Sequence, residues 1–319
     1  MLITRQKIIS EPKEIPCAQN LHKLIITNPT YGGNVEDIIF IRCCLKEEVS
    51  ESLYTQNIRE FSNLSKQELE KIINSVNFKV SANHDNSIYP YSCRTTKKFC
   101  DYEKFKINFI TVAIQYQCNL KCIMCTHGVS SIYNNLDAEL YKRAYFNTLY
   151  NIKNMKLDTI ELTQRGEPFF YKKETFDYIR SLTLNDCKKL HIITNATMLN
   201  SDDIYELYNI SKTNHIIIAL AVSCSGITAE TYKTIHKNNN FEKVVNNIKL
   251  LNNLGMLYSI NYVIQEENYY ELDLIKDFWK AYNIDPRKIT LILKDGKPLP
   301  DSKIMEYVNK ILKEKYNFF

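Results

Sequence analysis

The stretch Phe109-Ile-Thr-Val-Ala-Ile-Gln115 has the length and apolar character of a buried strand, and a loop with three cysteines follows it. Downstream, apolar runs of strand length alternate with longer segments of helical periodicity. Six strand–helix units in series predict a parallel sheet with helices outside, and fewer than eight units predict an open arc rather than a closed barrel. The predicted strands are Phe109–Gln115, Thr159–Thr163, Leu190–Thr194, Ile216–Ser223, Leu257–Ile264 and Ile289–Leu293. The predicted helices are Ala138–Ile152, Lys173–Leu182, Ser201–Ile210, Phe241–Leu254, Glu271–Ala281 and Ser302–Lys313.

The residues before this repeat differ from it in composition and in the pattern of predicted elements. They predict a small cysteine-bearing α+β domain at 1–105, ahead of a six-stranded partial β/α barrel at 106–319. Two strand-like runs, His22–Thr27 and Glu36–Arg42, flank a turn-rich segment and predict an antiparallel hairpin. A capping-box pattern begins the helix predicted over Ser65–Asn74. The predicted fold class is therefore α/β.

Charge and hydropathy exclude some classes of protein. The chain has 319 residues, and its 41 Lys and Arg against 36 Asp and Glu give a mild net charge of +5. This charge gives no indication of a nucleic-acid or anionic-membrane partner. No apolar run approaches the ~20 residues that span a bilayer, and the first residues lack a signal-peptide core. We therefore expect a cytoplasmic protein, in which cysteines are more often metal ligands or catalytic groups than disulfides.

The loop after the first strand carries the strongest chemical signal. It reads Gln117-Cys-Asn-Leu-Lys-Cys-Ile-Met-Cys-Thr-His127, with Cys118, Cys122 and Cys125 in a CxxxCxxC spacing. Three thiolates suit a cubane iron–sulfur cluster that keeps one iron open for another ligand. The spacing alone also allows a structural zinc ion completed by His127, or a redox pair of Cys122 and Cys125.

With this loop the chain resembles the radical SAM enzymes, in which the same cysteine spacing follows the first barrel strand. The resemblance implies a [4Fe-4S] cluster on Cys118, Cys122 and Cys125, with S-adenosylmethionine (SAM) chelated to the fourth iron. In that family an electron from the cluster splits SAM into methionine and a 5′-deoxyadenosyl radical, which abstracts hydrogen from the substrate. The cofactors supply the difficult chemistry, and the protein supplies ligation, orientation and a dry site.

Later strand ends extend the resemblance over residues 107–295. Gln164-Arg-Gly-Glu-Pro168 is similar to the family's GGEP loop, Ile193-Thr-Asn-Ala-Thr-Met-Leu199 to its TNGxLL segment, and Ala221-Val-Ser-Cys-Ser-Gly226 to the start of its VSIDGxTxETY segment. The chain departs from the pattern at Arg165, at Ser225 and at His236, where relatives often carry an arginine toward the SAM carboxylate. The resemblance implies that SAM contacts Met124, Gly166, Glu167, Asn195, Ser223 and His236.

Cys224 is a candidate hydrogen-atom donor, because some radical SAM epimerases use a thiol in this way. Alternation along a strand argues against this role. If Ser223 faces the barrel interior, Cys224 faces the helices as a buried apolar thiol. Cys187, before the third predicted strand, lies at the opposite end from the site and is expected to be structural.

The amino-terminal cysteines form a second candidate site. A hairpin would return Cys43 close to Cys17, and a loop bracketed by two further cysteines could complete four ligands. A zinc ion with four cysteines, or unligated thiols, would also explain them. The segment resembles the SPASM or twitch auxiliary-cluster modules, although such modules usually follow the barrel. That resemblance implies a second iron–sulfur cluster on Cys17, Cys43, Cys93 and Cys100, with Cys44 left over.

These resemblances predict a radical SAM enzyme that modifies a peptide, with a sugar or another small polar metabolite as the alternative substrate. An electron donor such as flavodoxin or ferredoxin would serve it. A zinc-stabilised binding module without catalysis is the alternative of a different class.

Overall fold

The computed structural model describes residues 23–27, 38–43, 54–82, 108–114, 116–125, 137–162, 166–293 and 301–316. No helix among these residues is long and apolar enough to cross a membrane.

A single mixed sheet organises the described part of the chain. Its strands are β1 Lys23–Thr27, β2 Ile38–Cys43, β3 Tyr54–Asn57, β4 Phe109–Ala113, β5 Leu157–Leu162, β6 Cys187–Thr194, β7 Ile217–Ser223, β8 Leu257–Ile264 and β9 Ile289–Leu293. Their order in space is β3-β2-β1-β4-β5-β6-β7-β8-β9, and β4 to β9 are all parallel. Among the described residues β3 and β9 do not pair with each other, so the arc stays open. The six predicted strands and the open α/β architecture are confirmed.

The helices follow the strands in the predicted alternation. They are α1 Ile58–Phe61, α2 Lys66–Ala82, α3 Ala138–Asn151, α4 Lys172–Arg180, α5 Ser201–Thr213, α6 Ala229–His236, α7 Phe241–Asn253, α8 Ile275–Lys280 and α9 Ser302–Tyr316. The helix predicted over Glu271–Ala281 is shorter than expected, because a 3₁₀ turn at Tyr269–Glu271 precedes α8.

The sequence pattern did not predict α6, which has only eight residues. Two local features nevertheless specify it. Thr228 caps its first turn by accepting a hydrogen bond from the Thr231 N–H (3.1 Å). Gly226 allows the chain to pass close to the helix, because a Cβ there would lie 2.7 Å from the backbone nitrogen of Tyr232. These two features place α6 against the end of β7.

The amino-terminal strands continue the same sheet. β1 and β2 pair antiparallel, as the predicted hairpin requires, and β3 pairs antiparallel with β2. β1 also pairs in parallel with β4, an arrangement that the sequence did not indicate. The division into domains at residue 105 stays a prediction.

The two faces of the sheet differ in polarity. On one side, most residues of β4 to β9 that face the helices are buried in the hydrophobic core. We call the other side the inner face, and its strand residues are largely polar or small. One row across four strands consists of Thr111, Glu161, His191 and Ala219.

One buried amide holds the loop after β6 against α7. Asn247 donates from Nδ2 to the carbonyl oxygens of Ala196 and Leu199, both at 3.0 Å. We expect Asn247→Leu to lower the free energy of unfolding by about 2 to 4 kcal/mol, because two buried carbonyls lose their donor. Urea unfolding measures the change. The exposed neighbour provides the control, since Asn246→Leu should change stability by less than about 0.5 kcal/mol. Equal effects of both substitutions would contradict this role.

Candidate functional site

The cysteine loop, residues 116–125, leaves the carboxyl end of β4, the edge at which parallel α/β folds bind ligands. Neighbouring segments hold it on two sides. The Gln117 carbonyl accepts a hydrogen bond from the Glu167 N–H (2.8 Å), which joins it to the loop after β5. The Ile123 N–H donates to the Ile235 carbonyl in α6 (2.9 Å). The local backbone of the loop is therefore fixed by its neighbours.

Glu167 is the buried centre of this edge, with 1% of its surface exposed. Its Oε1 accepts from the Thr194 hydroxyl (2.6 Å) and from the Phe169 N–H (3.2 Å), and its Oε2 accepts from the Asn195 N–H (2.8 Å). Burial raises the pKa of Glu167 to about 7, while these hydrogen bonds act in the opposite direction. The carboxylate thus links the ends of β5 and β6 and can still change its charge near neutral pH.

A closed ring of three side chains joins the cysteine loop to the end of β6. Asn195 donates to Asn119 Oδ1 (3.1 Å), Asn119 donates to the Thr197 hydroxyl oxygen (2.8 Å), and that hydroxyl donates to Asn195 Oδ1 (2.6 Å). Asn195 Nδ2 also lies 3.7 Å from Cys118 Sγ. Asn195 therefore contacts the cysteine loop directly, and sequence reasoning missed its partners Asn119 and Thr197.

His236, predicted to contact SAM, lies instead against a cysteine. Its Nδ1 is 3.1 Å from Cys122 Sγ, and its Nε2 accepts a hydrogen bond from the Ser225 N–H (3.0 Å). The ring is 1% exposed and packs on Tyr232 at 4.4 Å between centroids. Burial lowers the pKa of His236 to about 4, so the ring is neutral at physiological pH. Both ring nitrogens therefore have protein partners, and the predicted contact with SAM stays a prediction.

Two of the three thiols are held in surroundings that disfavour the thiolate. Burial, with smaller contributions from neighbouring acidic groups, raises the pKa of Cys118 to about 11 and that of Cys122 to about 12. Cys125 is among the groups that oppose ionisation of both. Metal ligation requires thiolates, so iron would have to offset the cost of ionising these sulfurs.

Three cysteine side chains suit the ligation of an iron–sulfur cluster. Among the described residues, no three His, Cys, Asp or Glu side chains are grouped as ligands of one metal ion. In a cubane, each cysteine binds a different iron, so the sulfurs need not converge on one point. Three cysteine ligands would leave one iron of a [4Fe-4S] cluster open. His127, the fourth ligand of the zinc alternative, lies outside the described residues.

The remaining predicted site residues are placed as follows. Gly166 has a φ of 65°, the left-handed conformation that favours glycine. Met124 and Ser223 are half-buried, in the cysteine loop and at the end of β7. Cys224 is buried in the hydrophobic core and lies 3.4 Å from the Gly226 carbonyl, as expected for a structural thiol.

The predicted second cluster falls largely outside the described residues. Cys17, Cys93 and Cys100 are not among them, and Cys43 is described only as the last residue of β2. The second cluster stays a prediction.

A polar pair on the inner face was not found from the sequence. Glu161 accepts from the Thr111 hydroxyl (2.9 Å) and lies 2.9 Å from His191 Nδ1. His191 Nε2 is buried and has no hydrogen-bond partner among the described residues. The Tyr258 ring lies 4.5 Å from the imidazole and 4.1 Å from Lys189 Nζ. A buried imidazole nitrogen without a protein partner suits a group that contacts a ligand.

The titration of Glu167 gives a prediction for stability. Its folded pKa is raised above the unfolded value, so its contribution is present in full below about pH 4.5 and is lost as the pH rises through about 7. Glu167→Gln should remove this component. We therefore expect urea midpoints measured at pH 5 and pH 8 without metal to differ less in Glu167→Gln than in the wild type. The exposed Glu242→Gln serves as control, and an unchanged pH dependence in Glu167→Gln would contradict the assignment.

Comparison with known proteins gives a family and distant relatives. Residues 112–278, more than half of the chain, match the family model described as the Radical SAM superfamily. A GTP 3′,8-cyclase of Synechocystis sp. is 23% identical over 198 residues, which are 62% of this chain and 58% of that protein. A cysteine-type anaerobic sulfatase-maturating enzyme of Clostridium novyi is 24% identical over 174 residues, 51% of this chain and 45% of that protein.

Among solved structures, Streptococcus suis SuiB aligns with 92% of this chain and 68% of its own at 13% identity and a TM-score of 0.44. The matches to the two curated relatives span about three fifths or less of those proteins' length.

Proposed function

The chain belongs to the radical SAM superfamily, and from this membership we propose that it cleaves SAM reductively and abstracts hydrogen from a substrate. Cys118, Cys122 and Cys125 would hold the [4Fe-4S] cluster, which supplies the electron that generates the 5′-deoxyadenosyl radical. The observation that carries this proposal is the arrangement of the cysteine loop. Hydrogen bonds join it to Glu167, Asn195 and α6, the segments in which the family's SAM-binding motifs lie.

The residues proposed to contact SAM differ in the groups that they present to it. Glu167 accepts hydrogen bonds from Thr194, Phe169 and Asn195, and its buried carboxylate, when ionised, would attract the SAM ammonium. The left-handed backbone at Gly166 and the half-buried Met124 and Ser223 would form the rest of the contact. His236 would contact Cys122 in the cysteine loop.

A peptide is the proposed substrate. The sulfatase-maturating relative is named for acting on a protein, which supports this class. The inner face supports it as well. Within β4 to β9 it offers hydroxyl, imidazole and amide groups beside one acidic and one basic side chain, Glu161 and Lys189, and a peptide backbone presents matching donors and acceptors.

A small polar metabolite is the second candidate, because the other curated relative named above is a GTP 3′,8-cyclase. The finer parts of the proposal are a second iron–sulfur cluster at the amino-terminal cysteines, an electron donor of the flavodoxin or ferredoxin class, and a location in the cytoplasm. The reducing cytoplasm would keep the thiols available for cluster binding.

Reductive cleavage of SAM tests the core of the proposal. Anaerobically reconstituted protein with dithionite should convert SAM to 5′-deoxyadenosine, measured by chromatography. The variant with Cys118, Cys122 and Cys125 all changed to alanine should lose iron, sulfide and this activity, because the cluster loses its ligands. The buried Cys187→Ala is the control and should keep the activity. Equal product from the triple variant would contradict the proposal, and zinc in place of iron would support the non-catalytic binding module.

The substrate proposal predicts a separate effect of the inner face. A small-peptide fraction of the host extract should stimulate 5′-deoxyadenosine formation, whereas GTP should not. His191→Phe should retain SAM cleavage without substrate within about twofold and lose the stimulated part, because it lacks the hydrogen-bonding nitrogens. The exposed His215→Phe is the control. Stimulation by GTP would favour the second candidate, and full stimulation of His191→Phe would contradict the role of the inner face.

A further inference from the structure

His236 occupies the position at which the family often has an arginine, but it is directed to a cysteine of the cluster loop. Its Nδ1 lies 3.1 Å from Cys122 Sγ, although the two residues are 114 positions apart in the chain. The adjacent residue Ile235 accepts the backbone hydrogen bond from Ile123, so the contact is reinforced next to it. The end of α6 therefore contacts the cysteine loop through one backbone hydrogen bond and one side-chain contact.

The direction of the hydrogen bond follows from the other nitrogen of the ring. The backbone N–H of Ser225 can only donate, and it donates to His236 Nε2 at 3.0 Å. Nε2 must therefore carry a lone pair, which excludes the imidazolium and the tautomer protonated at Nε2. The ring proton is on Nδ1, and it is directed at the sulfur of Cys122.

We propose that His236 is a positioning residue that raises the reduction potential of the cluster on Cys118, Cys122 and Cys125 by donating its Nδ1–H to the sulfur of Cys122. This inference rests on the proposed function, because it requires the cluster. Reduction adds one electron from dithionite, or from a flavodoxin- or ferredoxin-type donor, to the cluster. No bond at His236 is made or broken.

The physical basis is electrostatic. Reduction makes the cluster and its sulfurs more negative, and a hydrogen-bond donor stabilises the more negative state, so the potential rises. The Ser225 N–H polarises the imidazole from its far side, which strengthens the donor at Nδ1. Burial of the ring at 1% exposure keeps water from screening the interaction.

Two groups of other residues in the described part of the chain approach a cluster sulfur, and both are directed to Cys118. The Leu120 N–H lies 3.4 Å from Cys118 Sγ, and Asn195 Nδ2 lies 3.7 Å from the same atom. His236 has the shortest of these three contacts. Removing the His236 contact should therefore change the reduction potential of the cluster through the sulfur of Cys122.

Three substitutions separate donation from packing. His236→Phe keeps an aromatic ring against Tyr232 and removes both nitrogens. His236→Asn keeps an amide N–H near the place of Nδ1. His236→Gln places its amide near the place of Nε2, where the oxygen can still accept from Ser225, and loses the donor at Cys122. The exposed His215→Asn is the matched control.

The measurement is a redox titration of the reconstituted proteins, followed by electron paramagnetic resonance. In His236→Phe and His236→Gln, we expect the equilibrium constant for reduction of the cluster to be about tenfold lower than in the wild type. This corresponds to a reduction potential lower by about 59 mV for a one-electron couple. His236→Asn should retain most of the wild-type potential. A purely packing role of the ring would leave His236→Phe at the wild-type value, because that variant keeps the ring, and this result would overturn the proposal. Unchanged potentials in both Phe and Gln variants, with normal iron content, would overturn the proposal.

A second measurement does not depend on the cluster. In the wild-type protein without metal, selective ¹⁵N labelling of histidine should show His236 neutral and protonated at Nδ1, with its signals assigned by their loss in His236→Gln. Protonation at Nε2, or an imidazolium at pH 7, would overturn the proposal even if the variants failed to bind iron. Wild-type protein that binds no iron–sulfur cluster would instead disprove the proposed function, and this inference with it.

Discussion

Three thiols lie on one half-buried edge of the sheet, and burial together with nearby acidic groups opposes the ionisation of Cys118 and Cys122. The pKa values of Cys118 and Cys122 are raised to about 11 and 12, so these thiols remain protonated at neutral pH unless a cation compensates them. Cluster binding would therefore release protons and stabilise this edge at the same time. The hydrogen bonds around the loop hold the ligands in place for that event.

The parallel sheet explains how distant residues reach this edge. Each of β4 to β8 ends at the same side, so the loops that carry the cysteines, Glu167, Asn195 and Ser225 are neighbours in space. Glu167 joins two of these loops through one carboxylate, and His236 joins a third to the cysteines. The inner face continues from this edge toward the middle of the strands, where Glu161 orients His191.

Sequence alone was sufficient for the parts of the fold set by local pattern. Apolar runs gave β4 to β9, and the spacing of three cysteines identified the loop that matters. The parallel pairing of β1 with β4 could not be read in this way, because pairing depends on contacts between segments far apart in the chain. The helix α6 was missed because eight residues carry too little periodicity.

Sequence motifs identified several residues of the site but not the side-chain contacts between them. Glu167 and Asn195 follow from motifs, but the ring formed with Asn119 and Thr197 requires side-chain geometry. The residue type at 236 indicated a departure from the family pattern, and only the fold shows that the histidine contacts Cys122. Glu161 and His191 lie on separate strands, and their pairing depends on strand register, which no sequence motif specified.

The central claim is that one iron remains open to SAM when three cysteines hold the cluster. Electron paramagnetic resonance of the reduced, oxygen-free protein tests it most directly. The account predicts that adding SAM changes the shape of the cluster signal, because the ligand binds at that iron. A cluster signal identical with and without SAM would contradict it.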